Sequence, residues 1–146
     1  MRVEIKIPKL DVATLEADMR RNIEAALKGG AMLVANDAKR ALQAGPKSGV
    51  VYRRRGIEHQ ASAPGEPPAT DTGRLVGSIV ADGEGLNAYV EARTKYARWL
   101  EYGTKHMAAR PFFHPALERN RARIRDLVRA ALATGARQWK QKQGRS

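Results

Sequence analysis

The side chains able to carry chemistry are three histidines, two isolated glutamates and a set of arginines placed beside aromatic rings. His59 falls in a loop-like stretch. His106 and His114 flank a segment containing Pro111, so neither pairing has the helical spacing of metal ligands. Glu91 and Glu101 are the residue type of an acid/base pair, but no motif links them. Gly83-Glu84-Gly85 is too short to cradle a phosphate and reads as a turn. No H-E-x-x-H, G-x-S-x-G, Walker loop or dinucleotide fingerprint occurs. The expectation is a protein without catalysis, metal or cofactor.

The arginines carry more. The formal net charge is +12 with a pI near 10.6, which points to an acidic partner: nucleic acid, a protein face or an anionic membrane. Between Arg119 and Ser146 lie nine Lys or Arg against one acid, Asp126. Arg121, Arg125 and Arg129 recur at four-residue spacing, one row of a helix, and are candidates for contact with DNA or an acidic partner. Tyr52 with Arg53, Arg54 and Arg55 sets basic groups beside a ring. No helix-turn-helix, zinc finger or stacking platform accompanies them, so any DNA contact would be sequence-independent. Zero cysteines exclude disulfides and thiolate metal sites. No apolar run reaches membrane-spanning length, and the N-terminus lacks the apolar core of a signal peptide.

The elements that must position these groups follow from periodicity. Val3, Ile5 and Ile7 alternate with charged residues as one face of a short strand ended by Pro8. From a cap at Asp11 or Thr14, Leu15, Met19, Ile23, Leu27, Val34, Ala38 and Leu42 keep a helical period to about Ala44. Gly29-Gly30 marks a kink or a close helix contact, and Gly45-Pro46 stops the helix. Residues 45–72 lose the period; the expectation is a long Pro/Gly-rich arm with a short strand at Val50-Val51-Tyr52 that the arginines terminate. Its residues Tyr52, Arg53, Arg54, Arg55, Pro64, Pro67 and Pro68 are candidates for subunit or partner contact. Thr70, Asp71 or Thr72 caps a short helix carrying Leu75 and Val76. Ser78–Ala81 and Ala88–Ala92 read as a hairpin joined across Asp82–Gly85.

Large side chains concentrate next. Tyr96, Trp99, Leu100 and Gly103 fall on one side of a short helix that Gly103 ends. They read equally as a packed hinge and as an exposed functional surface. Arg110-Pro111 is extended, because the residue before proline leaves the helical region. A second long helix from about Pro115 to Lys140 buries Leu117, Ile124, Leu127, Val128, Ala131 and Leu132, and the tail from Gln141 frays. The expected class is α+β: a small antiparallel sheet packed by two long amphipathic helices, with the long Pro/Gly-rich arm. The 146 residues form one domain, with the arm at 45–72 and a basic C-terminal tail at 133–146.

Two blocks, Ala61–Leu75 through Ile79 and Tyr96–Thr104 through Arg110-Pro111-Phe112 to Leu117, occur in an order and spacing that resembles the neck or head–tail joining proteins of long-tailed bacteriophages, also called minor tail or tail-completion proteins. The resemblance runs from about residue 10 to 132. It implies a non-enzymatic virion component of a phage or phage-like particle, assembled in the bacterial host cytoplasm. It would form a homo-oligomeric ring, six-fold by what the resemblance implies, between head and tail. Partners would be other copies of the chain, the head-closure or connector protein, and the tail terminator or tail tube, with non-specific contact to packaged DNA open. Tyr96, Trp99, Leu100, Tyr102, Gly103, Thr104, Arg110, Pro111 and Phe112 would be structural. The alternative is a stand-alone, basic, sequence-independent DNA-binding module.

Overall fold

The computed structural model describes residues 1–6, 17–70 and 73–144. Nine elements follow in order among them: β1 (Arg2–Lys6), α1 (Ala17–Ala44), β2 (Val51–Arg54), β3 (Ile57–Gln60), α2 (Arg74–Ser78), β4 (Ile79–Glu84), β5 (Asn87–Ala92), α3 (Ala97–Tyr102) and α4 (Phe113–Gln143). The class is α+β, as the periodicities require. The expected positions Ile7, Pro8 and Leu15, the caps Asp11, Thr14, Asp71 and Thr72, and the final two residues lie outside the described residues.

Alternation makes the main sheet. Its order is β1-β5-β4, antiparallel throughout, with Val3 opposite Val90 and Val90 opposite Ala81. These residues, with Ile5, Ala88, Ile79 and Ala92, turn inward and meet α1. Arg2, Glu4, Lys6, Tyr89, Glu91, Asp82 and Glu84 fall on the opposite, outer face by the same two-residue period. The strands run further than their apolar residues indicate, leaving a two-residue turn at Gly85-Leu86 with φ of 56° at Gly85.

The α1 stripe buries as read, whereas of the α4 stripe Ile124 is buried and Leu117, Val128, Ala131 and Leu132 are half-buried. Ile23, Leu27, Val34, Ala38 and Leu42 of α1 are buried, and α4 packs antiparallel along it. Gly29-Gly30 makes no break in α1. A Cβ on Gly30 would stand 3.0 Å from Ile124 Cγ1 of α4, so the residue permits close helix approach. Gly135 does the same at the other end, where a Cβ would meet Met19. Polar pairs fix the helix register: Arg119 Nε and Asn120 Nδ2 donate to Asp37 at 2.9 and 3.0 Å, and Asn22 Nδ2 donates to Gln138 at 3.1 Å. Lys142 pairs with Asp18, whose carboxyl is held below its ordinary pKa mainly by that hydrogen bond.

Three expectations change here. The basic segment read as a tail from 133 is helical as far as Gln143; α4 continues because Gly135 and Gln138 remain against α1. Leu127 is 39% exposed, off the buried stripe that Ile124 centres. Of the stretch read as an arm, the described residues 45–70 are not structureless either. β2 and β3 form a hairpin closed by Arg55-Gly56, with φ of 51° and 81°, the two positive values of a type I′ turn. The arginines therefore continue the strand and make its turn.

Candidate partner-contact surface

The hairpin grows from a base that is tied down. Gly49 N–H donates to Ala61 O and Ala61 N–H to Val50 O, at 2.9 and 3.0 Å. Below it the proline-rich segment folds back onto the core. Lys47 Nζ donates to the carbonyls of Pro67 and Pro68 at 3.0 and 3.1 Å, while burial lowers its pKa. Glu66 accepts from Ser48 N–H at 2.9 Å, Ala63 N–H at 2.8 Å and the Ser48 hydroxyl. These hydrogen bonds, the Ser48 hydroxyl first, hold the Glu66 carboxyl below its ordinary pKa. Thr70 Oγ1 donates to Leu42 O and so serves the end of α1; the N-cap of α2 is Gly73, with no side-chain cap bond. Pro68 is buried, Pro67 half-buried and Pro64 exposed.

The hairpin itself buries little. Val50, Val51, Tyr52 and Ile57 are 76%, 55%, 42% and 63% exposed, and Arg53, Arg54 and Arg55 are exposed around them. Tyr52 stacks on His59 with ring centroids 5.8 Å apart, and Arg53 pairs with Glu58 at 3.4 Å. The result is a two-stranded ribbon with apolar and cationic groups facing solvent.

The aromatic stretch divides by face. Ala97 and Glu101 are the buried positions of α3, Tyr96 and Leu100 are half-buried, and Trp99 and Tyr102 are 56% and 69% exposed. Trp99 therefore does not share the inward face of Leu100. Gly103 ends the helix with φ 75° and ψ 178°, and a Cβ there would stand 2.8 Å from Met107 O. Thr104 bridges to Met107, and Arg110 N–H donates to Leu100 O at 2.7 Å. That bond brings Pro111 and the buried Phe112-Phe113 pair, centroids 4.6 Å apart, beneath α3.

Glu101 is the residue the sequence undervalued. Its Oε2 accepts from Phe112 N–H and Phe113 N–H at 2.9 and 3.0 Å, and its Oε1 accepts from His114 N–H at 2.7 Å. One carboxylate thereby satisfies three amides at the start of α4, where helix geometry leaves amides unpaired and favours negative charge. Glu91, by contrast, is on the outer sheet face, 3.5 Å from Arg2 and 3.9 Å from Arg93. The two glutamates have separate, structural surroundings. The usual cap signal, a polar residue just before the helix, is absent because the cap comes from a preceding helix.

Arg121, Arg125 and Arg129 line one groove with Lys6 and Glu4, over an apolar floor of Ile5, Leu27, Leu117, Ile124 and Val128. Arg121 also pairs with Glu118 at 2.7 Å. Among the described residues, no group of three or more His, Cys, Asp or Glu could hold a metal ion, and no helix is long and apolar enough to cross a membrane.

The family model described as "Bacteriophage HK97-gp10, putative tail-component" matches residues 9–103. The chain belongs to the HK97-gp10-like family. Neither a curated protein nor a solved structure matches it. The HK97-gp10-like match takes in α1, the hairpin, the sheet strands β4 and β5, and α3 as far as Gly103. Thr104, Arg110, Pro111, Phe112 and α4 lie beyond it, although the resemblance read from the sequence extended to residue 132. Membership in this phage tail-component family makes the chain a structural, virion-associated type of protein that works by contact with other virion proteins.

Proposed function

We propose that this chain is a neck subunit, forming a homo-oligomeric ring of six copies that joins the DNA-filled head to the tail. The observation that carries the reading is the β2–β3 hairpin, which exposes Val50, Val51, Tyr52 and Ile57 on a ribbon rooted in an otherwise closed fold. Exposed β-branched and aromatic residues gathered on one ribbon are the chemistry of a contact that forms with another molecule. Trp99 and Tyr102 supply a second exposed aromatic surface, suited to anchoring a subunit seam. Tyr52 and Arg53–Arg55 then contact an adjacent subunit. Arg121, Arg125 and Arg129 contact the head-closure or connector protein, or the tail terminator or tail tube, since an apolar floor between arginines suits a protein better than bare phosphates.

The test is native mass measurement of the full chain, alone and mixed with the neighbouring head-closure and tail proteins. The companion is a variant in which 52–59 is replaced by Asn-Gly, joining the paired residues Val51 and Gln60 directly. The intact chain is expected to give a discrete ring, alone or on mixing, and the shortened variant to remain monomeric. Rings from the shortened variant overturn the hairpin's role. A monomer that ignores these partners but binds duplex DNA with steep salt dependence supports the DNA-binding module instead.

A further inference from the structure

β4 is an end strand of the main sheet, and among the described residues no strand pairs with its far edge. An unpaired edge offers a row of N–H and C=O groups to another chain, and proteins usually blunt it with lysine, proline, a bulge or brevity. β4 has none of these. Its six residues, Ile79–Glu84, hold no basic residue and no proline, and they stay in unbroken register with β5. Arg93 N–H donates to Ser78 O, so by antiparallel alternation Val80, Asp82 and Glu84 are the β4 residues that exchange bonds with β5. Ile79, Ala81 and Gly83 then direct their amides and carbonyls outward. The Gly83 N–H is met by the side chain of its own neighbour, Asp82 Oδ1, at 2.8 Å.

The same chain carries strands free to pair there. β2 and β3 pair only with each other, so each keeps an open edge, and either four-residue strand fits within the roughly 20 Å of β4. Charge favours β4 over β1, the sheet's other end strand. β1 presents Arg2 and Lys6 to a ribbon that is itself basic, whereas β4 presents Asp82 and Glu84, both exposed and neither ion-paired among the described residues. Alternation favours β2 over β3, which has Glu58 opposite Arg53. Val51 and Arg53 share one face of β2 as Val80 and Asp82 share the outer face of β4. With the strands parallel, Val51 beside Val80 sets Arg53 beside Asp82 and brings Arg55, at the turn, to Glu84. Arg53 would give up only its exposed pair with Glu58, 3.4 Å apart and of small worth. The same register turns Tyr52 and Ile57 to the side of the sheet on which α1 packs, out of solvent. Ribbon and β4 of one chain lie in separate sheets, so the pairing is with a second copy, a head-to-tail contact of the kind that closes into a ring.

We infer that β2 of one subunit adds in parallel to the β4 edge of the next, so that one sheet crosses each seam of the ring. This rests on the ring reading above and names the surface that receives the hairpin. Two full-length variants test it by native mass spectrometry. Ala81→Pro removes one outward N–H, at a strand edge where proline is tolerated. Asp82→Lys with Glu84→Lys keeps every amide and sets lysines of the ribbon's own sign along the edge; both residues are exposed. Circular dichroism with thermal melting checks that each keeps the wild-type fold. Each is expected to lose the ring, with self-association weakened at least about tenfold. Hydrogen exchange at the Ala81 amide is the readout that charge alone would not move. It is expected to be at least about tenfold slower in the wild-type ring than in the monomeric double-lysine variant.

Rings that persist in the double-lysine variant, or in a folded Ala81→Pro, overturn the inference and leave the ring reading standing. Equal exchange at Ala81 in ring and monomer also overturns it, because the lysines would then act through diffuse repulsion and not through a shared ladder. A wild type that stays monomeric with and without its neighbours overturns the ring and this contact together.

Discussion

At the scale of single residues, two glutamates, Glu101 and Glu66, each tie separate backbone segments together. Glu101 holds three amides at the start of α4 from a buried position on α3. Removing a cap typically costs about 1 kcal/mol, and buried amides left without an acceptor cost about 1–3 kcal/mol. Glu101→Ala is therefore expected to lower unfolding free energy by about 2–4 kcal/mol in urea titration, and Glu101→Gln, which keeps one acceptor oxygen, by about half as much. A loss below about 0.5 kcal/mol for Glu101→Ala would remove Glu101 from this role. Glu66 ties Ser48 to Ala63 below the hairpin, and its pKa is depressed in the fold. A depressed carboxyl pKa stabilises the fold above the ordinary glutamate range and loses that contribution as pH falls through the folded value. Hydrogen exchange at the Ser48 and Ala63 amides, corrected for intrinsic rates, should accelerate between about pH 6 and about pH 3 in wild type. Glu66→Gln should flatten that dependence.

Elements pack here through the absence of side chains as much as through their presence. The two adjacent glycines of α1 have identical helical propensity, yet the structure separates them. Gly29 has open space where a Cβ would go, whereas Gly30 faces Ile124 at contact distance. Gly29→Ala is expected to stabilise the protein by about 0.5–1 kcal/mol, the helix-propensity difference. Gly30→Leu is expected to destabilise it by about 1–3 kcal/mol, because α4 must move away to admit the side chain. Thermal unfolding of the two variants should move in opposite directions. Matching shifts would mean that α1 and α4 do not depend on close approach at this point.

For the molecule as a whole, the core and the exposed apolar ribbon proposed for assembly occupy different parts of the chain. The core joins α1, α4 and the inner face of the β1-β5-β4 sheet, while β2 and β3 contribute no buried residue. Replacing 52–59 with Asn-Gly should therefore leave the monomer's unfolding free energy within about 1 kcal/mol of wild type while abolishing the ring proposed above. A large loss of stability in that variant would show the ribbon to be part of the fold. The charge is distributed unevenly too. The hairpin and the exposed face of α4 are cationic, whereas the outer sheet face mixes Arg2 and Lys6 with Glu4, Asp82, Glu84 and Glu91.

The α+β class, the period of the two helices and the Gly103 cap were determined by the sequence alone, because local period and glycine's freedom at positive φ need no distant partner. The family was also legible, in the blocks up to Gly103. Other features waited on the tertiary structure. Arg55 adopts positive φ in a turn whose usual residues are Asn, Asp or Gly, so the hairpin had no local signature. Trp99 and Leu100 are consecutive, and only the packing of α3 onto Phe112 and Phe113 decided which of them faces inward. Glu101 looked like a stray acid because its partners lie 11–13 residues onward, across an extended turn.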